Sequence, residues 1–78
     1  MLLTKIELIN VLHKNKIPEY CYSIDNEKNE SLCLLQENGK WIIFYSERGE
    51  RSDPEYYDSE EVACTKFFKE VIDMINHL

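Results

Sequence analysis

The sequence predicts an α+β fold: a three- to four-stranded antiparallel sheet with two helices packed mainly on one face, in the order α-β-β-β(-β)-α. Three observations carry that expectation. Two β-rich apolar runs flank Asn38-Gly39 within Ser31–Gly49, and Asn-Gly supplies the two positive-φ residues of a type I′ hairpin turn. Cys64, Phe67, Phe68, Val71, Ile72, Ile75 and Leu78 recur at helical spacing near the C-terminus. A shorter helical stripe precedes Pro18. A length of 78 residues with 44% apolar content fits one domain, residues 1–78, near the size at which a single core suffices.

The first helix opens at Thr4, where Thr4-Lys5-Ile6-Glu7 fits a capping box. Ile6, Leu8, Ile9 and Leu12 form its apolar stripe, with Val11 at the margin. Lys14 and Lys16 suit the C-terminal end of the dipole, and Pro18 prevents continuation, so the helix ends near Asn15. Tyr20-Cys21-Tyr22-Ser23-Ile24 alternates as a strand with both tyrosines and Ile24 on one face, and Asp25–Glu30 is a polar turn.

With Asn38-Gly39 as the loop, Glu37 faces Lys40, and the pairs run back through Gln36/Trp41, Leu35/Ile42, Leu34/Ile43 and Cys33/Phe44 to Leu32/Tyr45. Alternation puts Leu32, Leu34, Trp41, Ile43 and Tyr45 on one face and Cys33, Leu35, Ile42 and Phe44 on the other. Both helices are placed on the Trp41 face, which leaves Leu35, Ile42 and Phe44 at least partly exposed. One helix on each face is the alternative that hides both sets. Ser46–Pro54 reads as a charged loop, with a short edge strand around Arg51–Tyr57, because Pro54 is tolerated only at an edge. Asp58 or Ser59 caps the second helix, Glu60 and Glu61 complement its dipole, and Asp58-x-x-Glu61 allows a reciprocal contact.

The net charge is −6, and it is concentrated. Residues 47–61 hold seven acids against two arginines, −5 in one short segment. Such a surface repels nucleic-acid phosphates and suits a basic partner; a solvated acidic loop is the plainer reading. No apolar run spans a membrane and no leader pattern is apparent at Met1–Lys5. Cys21, Cys33 and Cys64 are odd in number and form no CxxC, which suits reduced thiols in a cytoplasmic protein rather than a zinc site. His13 and His77 fall at helix C-termini, where they complement the dipole. Only two glycines are present, so no phosphate-binding loop exists. No catalytic residue, metal ligand or cofactor site is expected, and the chain is read as a non-enzyme.

The candidate binding residues are Tyr45, Glu47, Glu50, Asp53, Glu55, Tyr56, Tyr57 and Asp58, in or beside the segment after the third strand. Tyrosines supply rigid contact area, and carboxylates steer a cationic protein. One of Tyr56 and Tyr57 is expected to close the core while the other faces a partner. Glu47 and Arg48 suit two roles equally, a structural pair beside Gly49 or contacts to the partner.

Trp41, then Tyr45-Ser46-Glu47-Arg48-Gly49, then Tyr57-Asp58-Ser59-Glu60-Glu61 leading to Ala63-Cys64 and Phe67, resembles the small immunity proteins of bacterial polymorphic-toxin systems, including the contact-dependent growth inhibition type. The resemblance covers about residues 17–70, with Ile17-Pro18 and Tyr22-Ser23-Ile24 included. It implies a non-enzymatic cytoplasmic protein that binds and neutralises a cognate toxin domain, often a nuclease with a basic substrate groove. It carries over no partner-contact position. Two other readings stand beside it: an interaction module or homodimer using Leu35, Ile42 and Phe44, and an acidic nucleic-acid mimic.

Overall fold

The computed structural model describes residues 3–77. Leu78, the last residue of the expected apolar stripe, and Met1 and Leu2 lie outside them. The elements are α1 (Lys5–Lys14), a 3-10 turn (Glu19–Cys21), β1 (Tyr22–Ile24), β2 (Ser31–Glu37), β3 (Lys40–Glu47), β4 (Glu50–Tyr57) and α2 (Glu60–Asn76). The sheet order is β1-β2-β3-β4. The fold is α+β as expected, with four strands.

The central hairpin forms in the expected register, from Glu37 opposite Lys40 to Leu32 opposite Tyr45. Asn38 and Gly39 take φ of 53° and 79° at its turn. The capping box at Thr4 also forms: Thr4 Oγ1 accepts from Glu7 N at 3.2 Å and Glu7 Oε1 from Thr4 N at 2.9 Å. Helix α1 ends through a Schellman turn, with Ile17 N donating to Leu12 O and Lys16 N to His13 O. Lys16 holds a φ of 55° there. Ser59, rather than Asp58, caps α2, accepting from Val62 N at 3.3 Å.

Both helices cover the Leu34, Trp41 and Ile43 face, as expected. Leu8 and Leu12 of α1 join Ala63, Cys64, Phe67 and Val71 of α2 in one cluster with those sheet residues. The Tyr22 ring meets Phe67 edge-on at 6.5 Å. The helices are tied at their N-termini, where Glu60 Oε2 accepts from Lys5 N at 3.0 Å and Thr65 Oγ1 from Leu3 N at 2.9 Å.

Five expectations are corrected. The sheet is mixed rather than wholly antiparallel, because β1 pairs parallel to β2, Tyr22 beside Leu32 and Ile24 beside Leu34. Parallel neighbours normally need a long crossover. Here β1 is three residues long, roughly 10 Å, so a six-residue return suffices. Asp25 and Glu30, at φ of 71° and 58°, bound that return. Second, Tyr20 belongs to the 3-10 turn after Pro18 and is exposed, so it does not share a strand face with Tyr22. Third, Ile6 is exposed; the buried stripe of α1 is Leu8 and Leu12.

Fourth, the expected charged loop is reduced to the end of β3, a tight turn and the start of β4, while the edge strand expected around Arg51–Tyr57 forms. Arg48-Gly49 makes its turn at φ of 51° and 80°, almost repeating Asn38-Gly39. Strand β4 begins at Glu50, one residue before the expected start, and carries a bulge at Asp53-Pro54, between the Tyr45–Ser52 and Ile43–Glu55 pairs. Fifth, Leu35, Ile42 and Phe44 are not exposed: they retain 9%, 1% and 1% of their surface. No helix covers them. The Arg51 guanidinium lies 4.4 Å above the Phe44 ring. It is fastened there by Glu37, through two bonds of 2.9 and 2.8 Å, and by Glu27 at 3.0 Å. Lys28 O accepts from Cys33 Sγ on the same face. An arginine strap and the β1–β2 return thus take the place of a second helical layer.

Candidate partner-binding surface

Strand β4 and the turn before it bring the eight singled-out residues to one edge of the sheet, but on two faces. Alternation from Trp41 and Ile43 places Tyr45, Glu47, Glu50, Glu55 and Tyr57 on the helix side of β3 and β4. Tyr57 packs against the main core, and so does Tyr45. Tyr56, 62% exposed, stands on the opposite face opposite Ile42. The expected division of labour between Tyr56 and Tyr57 therefore holds in its geometry: one closes the core and the other is open to solvent.

The acids divide by what they touch. Asp58 is paired with Lys40 at 2.6 Å, which holds its carboxyl below the usual range. It takes no part in a reciprocal contact with Glu61, whose Oε1 instead accepts from Ser59 Oγ. Glu60 is engaged at the α1 N-terminus. Glu55 lies beside Glu70 of α2. Burial, and next the charge of Glu55, push the Glu70 carboxyl up to about 7. Glu47, Glu50 and Asp53 are exposed and, among the described residues, make no ion pair.

The Glu47–Arg48 pair is not what fixes this corner. Glu47 faces Glu50 across the turn. The turn is held from outside by Asn29, whose Oδ1 accepts from Gly49 N at 3.2 Å and from Ser46 Oγ at 3.4 Å. Glu30 N donates to Ser46 O at 2.6 Å beside it. Two like charges facing each other on a pinned hairpin are unfavourable in the free protein.

Sequence reasoning missed Glu70. It sits between Lys69 and Val71 on an amphipathic helix and looks like any solvated acid. Its Oε2 is buried, and no donor among the described residues reaches it. Glu70 lines an open groove of about 350 Å³ with Leu32, Asp73, Met74 and His77. A smaller recess of about 140 Å³ adjoins it at Met74, lined also by Tyr20, Cys21, Glu30 and Tyr45.

Cys21, Cys33 and Cys64 are separate buried thiols, and burial raises Cys64 to about 11, away from nucleophilic reactivity. Among the described residues no three His, Cys, Asp or Glu side chains are placed to hold a metal ion. None of the described helices is long and apolar enough to cross a membrane. His77 Nδ1 lies 2.7 Å from Asp73 O in the last turn of α2, and His13 Nε2 lies 3.7 Å from Glu19. No family model, curated protein or solved structure matches the chain.

Proposed function

We propose that the chain is a non-enzymatic immunity protein. It binds a cognate bacterial toxin domain, of nuclease type, and neutralises it by covering a basic surface with the acidic edge of β3 and β4. The observation that carries this reading is the set of unpaired carboxylates at Glu47, Glu50 and Asp53 on a hairpin whose position is fixed by Asn29. Charges already paired within a molecule contribute little to association, whereas unpaired ones on a rigid element steer encounter and set register. Tyr56 adds an exposed aromatic to the same edge. The resemblance of the Trp41–Phe67 pattern to immunity proteins agrees with this reading.

The test is co-expression with the product of the gene beside its own. The reading expects protection of growth, and co-purification of a one-to-one complex with nanomolar or tighter affinity, on the order of −12 kcal/mol. A neighbouring product that neither harms cells nor binds the chain would contradict it. Inhibition of several unrelated DNA-binding proteins, lost as salt rises, would instead point to a nucleic-acid mimic.

A further inference from the structure

The groove between α2 and β2 lies away from the β3–β4 turn, with Glu55 of β4 reaching its Glu70, and combines features of opposite kind. Leu32 and Met74 give it an apolar floor, and Glu70 and Asp73 give it an acidic wall. Glu70 Oε2 is buried, no donor among the described residues reaches it, and Glu55 of β4 is the acid against the same carboxyl. We propose that this groove receives one arginine side chain of the cationic partner, with the stem along Leu32 and Met74 and the guanidinium against Glu70 and Asp73. This inference rests on the proposed binding of a basic protein and assigns it an anchor point.

Arginine fits the chemistry better than the alternatives. A long aliphatic stem covers apolar surface while its planar head presents several donors to carboxylates. A purely apolar anchor would bury the Asp73 and Glu70 carboxyl groups of the groove without a counter-charge, which is costly. The charges facing Glu70 are Glu55 from β4 and Lys66 and Asp73 from α2. His77 lines the same groove, with one ring nitrogen against Asp73 O. The wall is therefore net acidic, and a guanidinium would draw the proton off Glu70. Binding should release a proton near neutral pH and strengthen as pH rises through about 7.

The experiment titrates the isotope-labelled protein with a capped Gly-Arg-Gly peptide, using the Gly-citrulline-Gly peptide as an uncharged control of the same shape. Saturable amide shifts at Leu32, Asp73, Met74 and His77 with the arginine peptide alone support the proposal. Glu70→Gln should weaken that binding about tenfold at about pH 8, the loss of one charge-assisted contact. Shifts centred on Glu47–Asp53 with a silent groove would overturn the anchor and leave the partner reading standing. Equal response to citrulline, or binding unchanged in Glu70→Gln, would also overturn it. Absence of any shift overturns the anchor as well, while the partner reading is then decided by the co-expression experiment alone.

Discussion

Lys16 and Glu70 are the two residues whose local setting departs most from what their neighbours in the chain suggest. Lys16 closes α1 with a φ of 55°, a conformation that costs a Cβ-bearing residue about 1–2 kcal/mol. Glycine is the residue that this Schellman position favours, so Lys16→Gly should raise stability by about 1 kcal/mol, read from the urea midpoint. An unchanged or lowered midpoint would count against the left-handed cap. The helix end near Asn15 was legible in the sequence. Its agent was not, because Pro18 offered an obvious stop two residues beyond the actual one. Glu70 was illegible for a different reason: spacing shows which face of a helix a residue occupies, not which acid on another element lies opposite. Its carboxyl holds a proton in the folded protein up to about 7, whereas the unfolded chain releases that proton near 4.5. The group therefore favours folding below about pH 4.5 and loses that contribution as pH rises through about 7. Glu70→Gln stays neutral throughout. It should match the parent near about pH 4 and exceed it above about pH 7, by on the order of 1 kcal/mol after allowance for solvent screening. Parallel stability–pH curves for the two proteins would refute the assignment.

Among the elements, the Ser31–Glu47 hairpin was legible pair by pair, because one Asn-Gly turn fixes its register and alternation does the rest. Of the second hairpin, the edge strand was legible and the tight turn was not. Arg48-Gly49 adopts the same backbone as Asn38-Gly39, but arginine is a poor indicator of a left-handed turn. The edge strand around Arg51–Tyr57 was legible, and Pro54 sits at a bulge on that edge, where such a residue is tolerated. The strand at Tyr22–Ile24 was legible, but its parallel pairing was not, because a six-residue return is below the usual crossover length. The face expected to be greasy and open is closed instead by Arg51, whose partners Glu27 and Glu37 lie far from it in sequence. This strap makes a mutational prediction. Arg51→Ala should lower stability by on the order of 1 kcal/mol through loss of the cation–π contact and of cover over Phe44. Arg51→Met keeps much of the apolar cover and should lose less. The readout is chemical denaturation, together with binding of a hydrophobic dye to the uncovered face. Equal stability of all three proteins and no added dye binding would show that the strap covers nothing of consequence. A self-associating Arg51→Ala variant would show that Leu35, Ile42 and Phe44 form a surface a second copy can use once the strap is gone.

For the molecule as a whole, the concentration of charge was visible in the sequence, but its availability was not. Of the seven acids in residues 47–61, Asp58 and Glu60 are engaged internally and Glu55 faces Glu70. Glu61 contacts Ser59, which leaves the β3–β4 turn and the bulge as the free acidic edge. The candidate residues lie on or beside β3, β4 and the turn between them, and their distribution over two faces followed only from the β4 register. Steering by such an edge is a long-range effect that salt suppresses within about 10 Å. The most direct test is the association rate with the neighbouring gene's product, by stopped flow, for the parent and for Glu47→Lys/Glu50→Lys/Asp53→Lys, over a range of salt. The account predicts an unchanged circular-dichroism spectrum and an association rate at least about tenfold slower at low salt, with the two proteins converging as salt rises. A reversed-charge protein that associates as fast as its parent at every salt concentration would contradict it.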